Sequence, residues 1–317
     1  MNKLEAVKIS DPVFGSCVKL TNGLVELLVT VDFGPRVISC SLSGYENLFY
    51  QDLSFSALGS PQPEFGGETL KLYGGHRIWI SPEILPRCYY PDSAPVNWEK
   101  TYEDEDTLTV DFTAPVEKVN LIQKKMSITI EADSNGVRLE HMIKNCGLWE
   151  IELAPWCITM MAPGSKEVIP MPARSTGLLS NRHIALWDYS EMNDHRVYWG
   201  KDFITLTQDP GTAQPFKLGL NNEDGWVAIF NKGQVFFKHF EPELDELYPD
   251  DGCTYETYTN EKMLEAESLG HYVILAPGES VLHSEDWEIY KEPRVPSDDE
   301  AEIRKIIAEH LDFGDGK

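Results

Sequence analysis

From about Val18 to Tyr290 apolar and polar residues alternate in short runs broken by Gly, Pro, Asn and Asp. Alternation with a period of two residues marks half-buried strands, and turn residues at short intervals predict an antiparallel β architecture. The clearest unit is "KKMSITIEADSNGVRLEHMIKN". Met126, Ile128, Ile130 and Ala132 share one face, Asn135-Gly136 supplies a turn, and Val137, Leu139, His141 and Ile143 return. A second hairpin is expected in "GWVAIFNKGQVFFKHF", turning between Asn231 and Gly233, and a third in "HYVILAPGESVLHSEDWEIY", turning at Pro277-Gly278. Earlier, "NGLVELLVTVDFGPRVISCSLSGYENLF" gives two strands joined by a bend at Gly34-Pro35 and ending at a Gly44 turn.

Helical periodicity is confined to the C-terminus, "PSDDEAEIRKIIAEHLDF". There Ser297 is expected as N-cap with Glu300 as its capping-box partner, and Ile303, Ile306, Ile307 and Leu311 form an apolar stripe. No repeat, low-complexity segment or composition break divides the chain, so the expected organisation is one all-β domain over residues 1–292. Residues 293–317 then form a Pro-marked linker and a helix packed on it.

Of the 317 residues 42% are hydrophobic and 25% charged, ample for one large core. Asp and Glu number 52 against 27 Lys and Arg, a formal charge of −25. Such a field repels phosphate backbones and anionic lipid, so nucleic acid and membrane surfaces are not expected partners. The N-terminus lacks the apolar run of a secretory signal, no stretch approaches the ~20 apolar residues of a membrane span, and the six cysteines show no paired spacing. A cytoplasmic protein with free, mostly buried thiols is the expectation.

Motifs that would settle a chemistry are absent: no G-x-S-x-G elbow, phosphate loop, G-x-G-x-x-G, H-E-x-x-H or cysteine zinc spacing occurs. The densest concentration of reactive side chains is "YGGHRIWISPE". Gly74-Gly75 permits close backbone approach, His76 can act as acid or base near neutral pH, and Arg77 offers a planar donor fork. Alternation places His76 with Ile78 on one face and Arg77 with Trp79 on the other, so both can serve one site only if the glycines or a bulge re-aim one of them. Further on, "TNEKMLEAESLG" sets Glu265 and Glu267 on one face of an apolar strand. Such a pair is costly if buried and unpaired, so that face is either solvated or lines a polar cleft where a carboxylate serves as base. "ILPRCYYPDSAPVNW", with Glu83 just before it, carries Tyr89, Tyr90 and Trp98, and "SNRHIALWDYS" carries Arg182, His183 and Trp187. Aromatic faces with hydroxyl, carboxyl and guanidinium groups suit a sugar ring, although such loops also serve as plain covers over a sheet. The other histidines, His141 and His283 among them, have no partner pattern and are expected in core or surface roles.

On these residues the sequence resembles the galactose mutarotase-like (aldose 1-epimerase-like) superfamily. "LTNGLVELLVTVDFGPRVISCSLSGYENLF" is similar to its first strands. "YGGHRIWISPE", "PWCITMMAPG" and "YTNEKMLEAESLGHYVILAPGESVLHSEDWEI" are similar to an uncharacterised branch of it, and the likeness extends to about Tyr290. The resemblance implies a β-supersandwich with a sugar in its concave face. In the characterised epimerases a strand-borne Glu takes the proton of the anomeric hydroxyl while a His protonates the ring oxygen, without metal or organic cofactor. Arg77 in "HRI" matches the arginine that holds the sugar, and Glu265 or Glu267 matches the base. Where the epimerases carry "NHTYFNL" with the acid His, this chain has "PWCITMMAPG", with Trp156, Thr159 and Met160 at that place. His76 or His183 then stands in as acid, or the protein binds sugar without turning it over. The expected site is therefore Glu265, Glu267 and His76 as catalytic groups, with Arg77, Trp79, Glu83, Tyr90, Trp156, Arg182 and His183 around the sugar.

Overall fold

A computed structural model describes residues 4–311. Two large antiparallel sheets dominate it. The first has, in spatial order, strands Glu5–Asp11, Gly15–Thr21, Val25–Thr30, Val37–Leu42, His76–Ser81, Ile151–Met161, Leu264–Leu269, Tyr255–Thr259, Phe216–Leu220 and Ile184–Leu186, with Val273–Leu275 paired to the start of Ile151–Met161. The second runs Val197–Trp199, Phe203–Thr207, Lys166–Pro170, Trp226–Asn231, Gln234–Phe240, Ser280–Lys291, Gly136–Asn145, Ile122–Glu131, Thr107–Thr113, Asn97–Glu103. Inward-facing residues of both, such as Leu27, Val110, Ile128, Leu218, Ile229 and Trp287, form one continuous buried core. The all-β expectation is met, and no helix among the described residues is long and apolar enough to cross a membrane.

Local signals fix most hairpins. Ile122–Glu131 pairs with Gly136–Asn145, with Met126 opposite His141 and Ile128 opposite Leu139. Trp226–Asn231 pairs with Gln234–Phe240 through Lys232-Gly233, both at positive φ, as a two-residue hairpin turn requires. The segment around Pro277-Gly278 departs from expectation: Val273–Leu275 joins the first sheet, whereas Ser280–Lys291 lies in the second between Gly136–Asn145 and Gln234–Phe240. The turn is thus a crossing between sheets and makes no hairpin, because each flanking strand finds a longer partner elsewhere.

The helix Glu300–Ile307 also starts differently. Asp299 is its N-cap, accepting from the N–H groups of Ala301 and Glu302, while Ser297 donates its hydroxyl to Glu302. Glu300 instead accepts from the N–H groups of Asp202 and Phe203. A carboxylate directly before the first turn outcompetes a hydroxyl two residues earlier. Ile303, Ile306 and Ile307 are buried with Val168, Phe203, Trp226, Phe230 and Phe237 of the second sheet, and Leu311 packs beside them.

The glycine pair positions the central strand of the first sheet. Gly74 and Gly75 have φ of +95° and +71°, and a Cβ on them would lie 2.2 Å from the Tyr50 carbonyl oxygen and 2.3 Å from that of Val37. Only glycine allows the chain to pass so close to two backbones. His76–Ser81 is thereby laid between Val37–Leu42 and Ile151–Met161.

Candidate functional site

Five neighbouring strands of the first sheet turn side chains of the site to their outer face. His76–Ser81 contributes Arg77 and Trp79, and Ile151–Met161 contributes Trp156 and Ile158, in register with Trp79 and Arg77. Leu264–Leu269 contributes Glu265 and Glu267. Tyr255–Thr259 sets Tyr258 opposite Glu265 and Glu256 opposite Glu267. Phe216–Leu220 then brings Lys217 opposite Tyr258. Above this floor lies a cleft of ~360 Å³, walled by Arg77, Trp79, Tyr89, Trp156, Tyr189 and Glu265 and rimmed by Glu83, Asn260 and Lys262. That volume lies within the range of small-molecule sites.

Electrostatics distinguish the two carboxylates that share a strand face. Glu267 accepts from the Trp156 indole at 2.8 Å and from the Lys217 ammonium at 3.1 Å. Lys217 also contacts Glu256 at 2.7 Å and lies over the rings of Trp156 and Trp187, 4.7 and 4.5 Å from their centroids. Burial works against its charge, but Glu267 and Glu256 outweigh burial and hold the ammonium above its ordinary range. Glu256 is pushed well up by burial, against the opposing pull of Lys217. Glu265 is half-buried, and among the described residues no group hydrogen-bonds or ion-pairs with it. Burial and then the Glu267 charge raise its carboxyl to about 7.

Arg77 completes the floor. It is 3% exposed, its guanidinium lies 4.3 Å from the Trp79 ring centroid, its Nη1 has only the Met160 sulfur at 3.7 Å, and its Nε has no partner. Burial lowers it to about 10, so it stays cationic at neutral pH. Glu256 and Glu267 each also keep one carboxylate oxygen without a partner. Buried polar atoms in folded proteins are almost always satisfied. Arg77, Glu256 and Glu267, on strands of this floor, carry three that are not.

Of the residues singled out from sequence, Arg77, Trp79, Glu83, Trp156 and Glu265 line the cleft, with Glu267 in its floor. The other four, Tyr90, Arg182, His183 and His76, are elsewhere. Tyr90 lies behind Trp79, its hydroxyl accepting from the Lys118 N–H at 3.1 Å. Arg182 bonds the Pro172 carbonyl at 3.0 Å, and His183 is exposed beside the edge strand Ile184–Leu186. His76 points the opposite way from Arg77, as strict alternation demands: neither glycine re-aims it. It is fully buried between the sheets, with Nε2 2.8 Å from Nε2 of His141 and Nδ1 2.8 Å from the Thr159 hydroxyl. No histidine is among the residues lining the cleft, so the substitution of His76 or His183 for the missing acid finds no geometric support.

The inter-sheet network around His76 is closed. Nδ1–H of His141 donates to the His283 carbonyl at 3.0 Å, which leaves its Nε2 to accept from Nε2–H of His76. Nδ1 of His76 is then an acceptor for the Thr159 hydroxyl, which accepts from Lys238 at 3.1 Å. Lys238 further holds the Cys157 and Ala266 carbonyls and the Glu285 carboxylate, and Ser268 links Glu285 to His283. This wiring requires neutral imidazoles, and burial depresses His76, His141 and His283.

Lys217, Glu256, Tyr189 and Tyr258 were not singled out from sequence. The available signal was Lys217 itself, a lone cation in the apolar run "FKLGL". Its loop cover is fixed by Ser190, whose hydroxyl accepts from the Lys217 N–H at 2.8 Å and donates to its carbonyl at 2.7 Å.

No protein-family model matches the sequence, and no curated protein matches it. Solved structures do match in three dimensions. A TPR-domain containing protein from Parabacteroides distasonis is similar over 89% of this chain at TM-score 0.60 and 13% identity, the chain spanning 49% of that protein's length. A galactose mutarotase-like protein from Clostridium acetobutylicum is similar over 92% of this chain and 100% of its own, at TM-score 0.56 and 11% identity. Another, from Lactobacillus casei, covers 90% of this chain and 100% of its own at TM-score 0.51 and 10% identity. At such identities the likeness is one of architecture: the chain has the galactose mutarotase-like fold.

Proposed function

We propose that the protein binds a neutral monosaccharide in the cleft above Glu265 and interconverts its anomers, as an aldose 1-epimerase-like isomerase. The observation that carries this reading is the Glu265 carboxyl: it has no protein partner and is raised to about 7 beside the buried Arg77. A general base works best when its pKa lies near the operating pH. Trp79, Trp156 and Tyr89 supply flat faces for a sugar ring, and the mutarotase-like fold agrees with such a ligand.

In this reading Glu265 takes the proton of the anomeric hydroxyl, the bond between anomeric carbon and ring oxygen breaks, and the ring oxygen gains a proton. Closure on the other face of the aldehyde reverses each step and returns the Glu265 proton. Tyr258 and Lys217, paired on neighbouring strands, are the groups at hand to donate to or stabilise the ring oxygen. The test is anomer interconversion followed by NMR at low buffer concentration in cold solution, where the spontaneous reaction is slow. Glu265→Gln keeps shape but cannot accept the proton, and should lose the general-base contribution of ~10²–10⁴-fold. The absence of a histidine in the cleft favours a second reading, a binding protein without turnover. Wild-type protein that binds sugars yet never exceeds the spontaneous rate would establish that reading instead.

A further inference from the structure

The cleft has two unlike ends. At one, the Trp79 ring meets those of Tyr89 and Trp156, with centroids 5.2 and 5.5 Å apart, and Glu83 accepts from the Tyr89 hydroxyl. At the other, Ala57, Leu58, Leu72 and Met263 line the cleft, and the last three pack with Met160 and the Tyr258 ring as one apolar cluster. Leu72 and Met263 are 8% and 5% exposed, Leu58 is half-buried and Ala57 exposed, so this wall keeps apolar surface open to a ligand. It adjoins the proposed base: Met263 is two residues before Glu265, and Tyr258 is opposite Glu265 on the next strand. The polar side chains set into the wall are engaged with one another. Asn260 Oδ1 accepts from the N–H groups of Lys262 and Met263 at 2.8 and 3.3 Å, Asn260 Nδ2 donates to the Tyr258 hydroxyl at 3.3 Å, and the Ser56 hydroxyl is 2.9 Å from that of Ser54. Lys262 is exposed at the rim, where such a side chain keeps its ammonium in water.

We infer that the sugar of the cleft is a 6-deoxyhexose whose methyl group lies against Leu58, Leu72 and Met263; this rests on the proposed sugar-binding reading, with the anomeric hydroxyl at Glu265. In a pyranose only the ring oxygen separates the anomeric carbon from C5. A ring whose anomeric hydroxyl meets Glu265 can therefore carry its C5 substituent to the neighbouring apolar wall, while its other hydroxyls turn to Arg77, Glu83 and the aromatic end. A hydroxymethyl group in that position would exchange water for side chains that offer no hydrogen bond. A pentose has no carbon there and leaves the wall bare, and a 2-deoxy sugar loses a hydroxyl without gaining a methyl. The methyl of a 6-deoxyhexose instead removes apolar surface of both partners from water.

Calorimetry over three series tests this: galactose, fucose and arabinose; glucose, quinovose and xylose; mannose, rhamnose and lyxose. Each series is matched in ring stereochemistry, differs in the hydroxymethyl, methyl or hydrogen on C5, and is taken in both enantiomeric forms. In at least one series the methyl sugar should bind roughly ten- to a hundred-fold more tightly than both companions, the range for one such carbon in an apolar pocket. Leu58→Asn and Met263→Gln each put an amide into the wall and should bring that ratio to within about threefold. The ratio is taken within each variant, so a general loss of affinity does not imitate the effect, and Leu58→Asn, at a half-buried position, serves if Met263→Gln does not fold. Companions bound as well as the methyl sugar in every series, or a methyl preference untouched in the variants that fold, would overturn the inference and leave the sugar-binding reading standing. Binding of none of these sugars would overturn both.

Discussion

Glu265→Gln should make the protein more stable, and the gain should depend on pH. The fold raises the Glu265 carboxyl from 4.5 to about 7, and at ~1.4 kcal/mol per pH unit this amounts to about 3 kcal/mol. The sign follows from proton counting. Between about pH 4.5 and 7 the folded protein holds a proton on Glu265 that the unfolded chain has released, so Glu265's contribution to stability is complete below the lower value. It is lost as pH rises through the upper one. Glutamine has no such proton. The stability difference between variant and wild type should therefore be smallest near pH 4, grow from about pH 5, and level off above pH 7 at ~3 kcal/mol in favour of the variant. Glu167, also raised to about 7 by burial, titrates in the same window, but it is present in both proteins and cancels in the difference. Urea unfolding of both proteins at half-unit steps from pH 4 to 8 measures it. A difference constant across that range would refute the argument, because it would mean that the carboxyl is not held up in the fold. With anomer interconversion, the same pair of proteins would show a stabilised, inactive variant, as expected when a site group is kept at a cost to the fold.

Lys217→Met leaves the buried Glu256 and Glu267 without their shared cation and should cost ~3–5 kcal/mol in urea unfolding at neutral pH. Burial depresses His283 to about 4, so its share of stability is complete above about pH 6.5 and is lost as pH falls toward 4. His283→Gln should flatten the stability–pH curve over that window by ~1.4 kcal/mol per unit. Deleting residues 297–317 removes Ile303, Ile306 and Ile307, each worth ~1.5–3 kcal/mol when buried. Melting temperature should fall while sugar affinity in calorimetry stays within about twofold, since this helix packs on the second sheet and the cleft is on the first.

Much of the architecture was legible because strand alternation is a local property. The facing of Met126, Ile128 and Ile130, the Lys232-Gly233 turn, and the shared face of Glu265 and Glu267 all follow from residue spacing and turn chemistry within a few positions. The same rule foretold that His76 and Arg77 part company, and they do. The long-range arrangement was not legible. Val273–Leu275 and Ser280–Lys291 part to different sheets because their partners, Ile151–Met161, Gly136–Asn145 and Gln234–Phe240, were already committed to those sheets by other pairings. The cap passed from Ser297 to Asp299 once Glu300 was taken by Asp202 and Phe203, nearly a hundred residues away in sequence. The distinction between Glu265 and Glu267 is also tertiary. Both sit on one strand face, and only the approach of Lys217 and Trp156 from other strands pairs one carboxylate and leaves the other alone. Sequence spacing sets which way a side chain points, whereas burial and charge at its tip depend on strands that meet it only when the sheet closes.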